Sequence, residues 1–184
     1  MTSPKQKLWR GWAITGYWLL AFLLAGTVAI VLRSFILVPA SVSGQSMAPT
    51  LESADQLLLR TSGPIKRFEV VVFTRADQTT YVKRVIGLPG ETVAYRNDQL
   101  YINGRHVAEP FLNQAKKKPG ILTSDFELKT LTGEKQIPKD EYFVLGDNRQ
   151  ISKDSRLFGT IHRDTILGRA VAVYWPIKDI QSLK

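Results

Sequence analysis

The 184-residue chain predicts a mainly β domain behind one apolar N-terminal helix. Three observations lead there. No residue from Gly11 to Leu32 is charged; beyond Pro39 helical continuity gives way to short runs rich in Val, Tyr, Thr and Phe; and Gly, Pro, Asp and Asn separate those runs.

The uncharged stretch "GWAITGYWLLAFLLAGTVAIVL", at about 1.5 Å per residue, covers roughly 33 Å as a helix, enough to span a bilayer. Trp9, Trp12, Tyr17 and Trp18 gather near its start and Arg33 closes its end. Lys5, Lys7 and Arg10 precede it, so the charge bias predicts residues 1–10 in the cytoplasm, a single-pass anchor at 11–32 in the cell membrane, and an extracytoplasmic domain over 33–184. A cleaved signal peptide competes, because "VPA" at 38–40 offers small residues near a cleavage point, although signal h-regions run only about 7 to 15 residues. A buried helix is a third reading, weakened because no polar face recurs at helical spacing.

Strands are expected at "QLLLR" (56–60), "EVVVF" (69–73), "TTYVKRVIG" (79–87), "TVAYRN" (92–97) and "QLYING" (99–104). "RNDQ" and "INGR" are hairpin candidates, the second holding the Asn-Gly pair that tolerates positive φ. A polar stretch from Asn113 to Pro138 marks an insert or loop-rich subdomain over about 104–138. Two further strands follow, "EYFVLG" (141–146) and "GRAVAVYWP" (168–176), with the polar "GDNRQISKDSRLFG" between them.

Composition narrows the chemistry. With no cysteine there is no disulfide framework and no thiolate nucleophile, and His106 and His162 lack metal-binding spacing, so neither a metal nor a cofactor is expected. The net charge of +9 would suit nucleic acid or an anionic membrane. The basic residues are scattered without an aromatic ladder between them, which argues against nucleic acid.

In "SGQSMAPT" (43–50), Ser46 sits in a small, flexible stretch soon after the apolar run. A serine nucleophile needs a base within reach. "GQSMA" does not fit the GxSxG elbow and neither histidine has a suggestive context, which leaves lysine. Lys83 interrupts a β-propensity run, where alternation puts it on one face with Tyr81 and Val85 and sends Arg84 to the other. Service as a base needs its pKa depressed by about 3 units, which burial can supply. A snorkelling edge-strand lysine and a serine in a plain turn are the bland readings of the same residues.

"SGQSMAPT", "RFEVVVF", "YVKRVIGLPGE" and "GDNRQISKDSRLFG", in this order behind one apolar segment, resemble the successive motifs of type I bacterial signal peptidases, and "GRAVAVYWP" resembles that family's last core strand. The single anchor and short insert look like the Gram-positive kind. The resemblance implies a signal-peptidase/LexA-like antiparallel β catalytic domain and a membrane-anchored serine endopeptidase that removes signal peptides from exported preproteins after an A-x-A-like site. By the motif, Ser46 is the nucleophile and Lys83 the general base. Ser152 matches the position whose hydroxyl contacts that lysine, and Asp154 and Arg156 match structural positions, with Asp154 expected to pair with Arg84. Asp147 and Asn148 read as turn formers. Where some members carry a serine that serves the oxyanion, this chain has Gly44, which leaves the Ser46 N–H with another N–H or a water.

Substrate is expected to add as a strand near Val42 to Gly44 and Tyr81 to Lys83, and the resemblance implies Val42, Met47, Leu51, Tyr81 and Val82 as apolar walls admitting small side chains. For Leu51 core packing is an equal alternative. The expected partners are preprotein signal peptides and cytoplasmic-membrane lipids, with the secretion translocon a further candidate. Phe35, Ile36 and Leu37 are expected to help seat the domain on the bilayer. Two rivals carry their own marks: a self-cleaving repressor should have a DNA-binding helical domain where this chain has its apolar segment, and a non-enzymatic secretion or pilus assembly factor should lack the serine or the lysine.

Overall fold

The computed structural model describes residues 17–28, 37–117 and 119–183, and divides the chain into two compact units, Met1–Ile36 and Leu37–Lys184. In the first, residues 17–28 form a helix, α1, whose Tyr17, Trp18, Leu19, Leu20, Phe22 and Leu23 are all exposed. Among the described residues no helix is long and apolar enough to cross a membrane. Residues 11–16 and 29–32 of the expected span lie outside them, as does the expectation on Phe35, Ile36 and the Leu37 side chain.

The second unit is mainly antiparallel β. Its larger sheet contains β1 (Leu37–Ser41), β2 (Gln56–Arg60), β3 (Val70–Thr74), β4 (Thr80–Gly87), β9 (Glu141–Leu145), β10 (Ile161–His162), β11 (Ile166–Trp175) and β12 (Gln181–Ser182). The order is β1-β2-β11-β3-β4-β9-β10, with β12 beside β11. β5 (Val93–Arg96), β6 (Gln99–Ile102), β7 (Arg105–Val107) and β8 (Phe126–Glu127) make a smaller sheet in the order β7-β6-β5-β8. The two hairpins read from sequence are present. Asn97 and Asp98 turn β5 into β6, and Asn103 and Gly104 turn β6 into β7, all four at positive φ as a tight two-residue turn requires.

Local sequence explains these roles. "VVVF" in β3 is buried at every position, as a strand covered on both faces must be. One apolar cluster joins Val42, Met47, Leu51, Leu57, Leu59, Val70 and Val72; another joins Val71, Phe73, Val85 and Val144, as strand alternation demands of β3. A third cluster unites Ile86 and Phe143 of the larger sheet with Val93, Tyr95 and Leu100 of the smaller one. Pro39 lies in β1, a strand with a single neighbour, where a missing N–H does not break a ladder. The insert over 104–138 opens with β7, supplies β8 and a short helix α2 (Leu128–Thr132), and shares the smaller sheet.

What this arrangement leaves open matters for the site. β4 pairs with β3 from Thr80 to Arg84, but with β9 only from Arg84 onward. Residues 80–83 therefore have a sheet neighbour on one side and a lane on the other that β9 does not fill.

Candidate active site

Ser46 stands in a turn after β1, closed by the Ala48 N–H donating to the Gln45 carbonyl at 3.2 Å and the Leu51 N–H donating to that of Met47 at 3.0 Å. Met47 and Leu51 are fully buried beside Val42 and root the turn in the core. Gly44, at φ +86°, reverses the chain ahead of it in a region that L side chains rarely adopt. Ser46 itself stays partly exposed.

β4 brings Lys83 to this serine. The side chains meet at 2.7 Å, Nζ to Oγ, and Nζ also donates to the Val82 carbonyl at 2.9 Å. Lys83 is 2% exposed and forms no ion pair among the described residues. Burial pushes its amine down from 10.5 to about 8, while the more distant charges of Asp154 and Asp147 oppose the shift. Desolvation wins because neither carboxylate touches Nζ. Tyr81, on the same strand face, offers its ring at 5.6 Å, and Val82 packs on the cluster that holds Val42 and Met47.

Arg84 takes the opposite face, as alternation requires, but its partner differs from expectation. Asp147 receives both guanidinium contacts, from Nε at 2.9 Å and Nη2 at 2.6 Å, while Nη1 donates to the Phe68 carbonyl and the guanidinium lies 4.2 Å from the Phe111 ring centre. Asp154 instead pairs with Arg156 at 2.9 Å and accepts the Gly146 N–H at 3.0 Å, which folds the 146–156 loop onto itself. The reason is placement: β9 delivers Asp147 directly after the strand that pairs with Arg84. Asp147 also accepts the Thr50 hydroxyl at 2.5 Å. One carboxylate thus ties the strand bearing Lys83 to the turn bearing Ser46, a role hidden by the turn-like look of "GDN".

The loop after β9 closes the site from below. The Asn148 N–H donates to the Ser46 carbonyl at 3.1 Å, and a Cβ on Gly146 would overlap both that carbonyl and the Ser152 side chain, so only glycine allows this approach. Ser152 is buried, but the expected contact with Lys83 is not made: its hydroxyl has no partner among the described residues. The Lys83 amine is already engaged by Ser46 and by the carbonyl of its own strand.

Sequence reading also missed Arg149, which is 2% exposed. It donates to the Gly146 carbonyl at 3.0 Å, to Glu109 at 2.5 Å and to Tyr95, whose hydroxyl in turn meets Glu109. Burial, the chief cause, holds the Tyr95 phenol well above its ordinary range, so it remains a donor. This network pins the loop after β9 to the smaller sheet. An arginine within "GDNRQ" carries no sequence signal for burial, because its acid comes from a distant segment.

A desolvated amine bonded to a serine hydroxyl, at an open strand edge of an antiparallel sheet, defines a serine peptidase that uses an amine as its base. The family model described as "Signal peptidase, peptidase S26" matches residues 15–175. The chain is 44% identical to signal peptidase I of Bacillus caldolyticus, over 97% of each chain, and 43% identical to signal peptidase I V of Bacillus subtilis strain 168, over 83% of this chain and 94% of that one. The crystal structure of a signal peptidase I from Enterococcus faecalis V583 is similar in fold, with a TM-score of 0.55 and 42% identity over 58% of this chain and 97% of that one. This chain belongs to the signal peptidase family, peptidase S26.

Proposed function

We propose that this serine endopeptidase cleaves the signal peptides of exported preproteins with Ser46 as nucleophile and Lys83 as general base. The contact of 2.7 Å between Lys83 Nζ and Ser46 Oγ carries the reading. With its pKa near 8, an appreciable share of the amine is neutral at physiological pH and can take the serine proton. Ser46 Oγ then bonds to the scissile carbonyl carbon, and the oxyanion so formed turns toward the Ser46 N–H. Lys83 returns the proton to the departing amine, the C–N bond breaks, and an acyl-serine remains. Lys83 next deprotonates a water, whose oxygen attacks the ester; the bond from Ser46 Oγ to the acyl carbon breaks, Lys83 returns the proton to Oγ, and the new C-terminus is released.

A protonated Lys83 has a third N–H, and the unpartnered Ser152 hydroxyl is the acceptor left for it. Arg84, Asp154 and Arg156 support the site by fixing β4 and the following loop. Substrate lies as a strand in the open lane beside residues 80–83. Val42, Gly44, Tyr81 and Val82 border it, and the buried Met47 and Leu51 set the floor that restricts its side chains to small ones. The apolar stretch over 11–32 anchors the chain in the cytoplasmic membrane with residues 1–10 inside and 33–184 outside, where signal peptides emerge. The exposed apolar surface of α1 and the uncharged run around it favour lipid.

Cleavage of a preprotein with an A-x-A site by purified full-length protein, with the product's new N-terminus sequenced, tests this. Wild type should cut after the small residue, while folded Ser46→Ala and Lys83→Ala variants should lose at least about a thousandfold in kcat/KM, as members of a catalytic unit do. Normal cutting by either variant would refute the assignment, and an inert wild type would favour the assembly-factor alternative.

A further inference from the structure

On the signal-peptidase reading just given, we infer a binding site for the residues downstream of the scissile bond: the cleft between the Ser46 turn, the loop after β9 and the insert. The topology leads there. Substrate residues before the cleavage point lie beside Thr80 to Lys83, and the scissile carbonyl must reach Ser46 and Lys83. The peptide therefore runs parallel to β4, from Thr80 toward Lys83. Its lane ends at Arg84, because from there β9 occupies it, with Leu145 opposite Arg84 and Gly146 directly following. A polypeptide that continues past the cleavage point meets the end of β9 head-on and must leave the sheet at Ser46.

The residues that follow Ser46 and Gly146 in the chain line an opening. A cavity of about 400 Å³ is lined by Ala48 and Pro49 from the Ser46 turn, Asn148 and Gln150 from the loop after β9, and Ala115 and Leu122 from the insert. Its walls are fastened to the catalytic groups: the Asn148 N–H holds the Ser46 carbonyl, and the buried Arg149 clamps the same loop to Tyr95 and Glu109. The Gln150 side chain reaches the Ile121 carbonyl at 3.4 Å and bridges the loop to the insert. The cleft is thus held in register with the nucleophile, and its volume suits two or three residues of modest size. Among the described residues that line it, the one charged side chain is Asp147, which is neutralised by Arg84, so the cleft selects on the bulk of the mature protein's first residues.

The test compares two substrates identical up to the scissile bond, one continuing into five residues of a mature protein with an aromatic side chain at the second, the other ending in a single small amide reporter. Ala115→Trp and Gln150→Trp should lower the kcat/KM ratio of long over short substrate at least tenfold. An unchanged ratio in both folded variants overturns the cleft, whereas wild type inert on both substrates overturns the peptidase reading beneath it. A second measurement does not depend on a tolerated tryptophan. Ser46→Ala protein is irradiated with a long substrate carrying a photoreactive benzophenone at its second downstream position. Cross-links should fall on residues 114–122 or 148–150, and a cross-link confined to β3, β4 or β10 would contradict the path.

Discussion

At the scale of single residues, Lys83, the proposed base, is kept at a cost in stability. A pKa lowered from 10.5 to about 8 means that the unfolded chain binds the lysine's proton more tightly than the folded one. That penalty, about 3 kcal/mol by this shift, is complete below pH 8, declines between pH 8 and 10.5, and is absent above. Replacing Lys83 by Met should therefore abolish cleavage yet stabilise the fold by about 2–3 kcal/mol at pH 7, a gain that shrinks as pH rises through that window. Urea unfolding at pH 7 and pH 10 reads both signs. Asp147 behaves oppositely. Removing it leaves Arg84 buried without its charge partner, so Asp147→Ala should cost about 3–5 kcal/mol, while the double change Arg84→Met with Asp147→Leu should cost much less. A double mutant whose loss equals the sum of the two single losses would show that the pair carries no coupling.

At the scale of elements, β4 is divided, with Arg84 and the residues after it paired with β9 and residues 80–83 open on that side, where the proposed substrate strand would lie. Backbone pairing there predicts that N-methylating one substrate amide that faces β4 raises KM about fivefold, the equivalent of about 1 kcal/mol per hydrogen bond. Methylation without effect would mean the peptide lies elsewhere. This division of β4 was invisible in the sequence, where "TTYVKRVIG" reads as one uniform strand. Strands with a clear pattern, such as "VVVF" in β3 and "EYFVL" in β9, were legible because burial on both faces or clean alternation leaves a periodic trace. β1, β8, β10 and β12 were not: β1 contains a proline and follows the apolar run directly, and the other three have two residues each, set by pairing with a neighbour rather than by any local period. The contact between Lys83 and Ser46 was anticipated through the resemblance of "SGQSMAPT" and "YVKRVIGLPGE" to family motifs, since alone the two residues read as a turn serine and a strand lysine. Its supports were not, since Asp147, Arg149 and Glu109 find each other or their partners across gaps of 40 residues or more in sequence.

For the whole molecule, the catalytic unit over Leu37–Lys184 has its own apolar clusters and should fold without the segment before it. A fragment beginning at Leu37 is expected to cut a soluble peptide within about threefold of the full chain's rate. On a preprotein embedded in liposomes it should fall behind by at least about tenfold, because the proposed anchor would raise the local concentration of enzyme at its substrate. Equal rates on liposomes would remove the argument for an anchor.

The central claim is that a buried lysine, its pKa lowered to about 8, deprotonates Ser46. Its most direct test is the single-turnover cleavage rate of wild-type protein from pH 6 to 10. The rate should rise about tenfold per pH unit below pH 8 and level off above it, with no such limb in Lys83→Ala. A flat profile, or a rise that continues to pH 10, would contradict it.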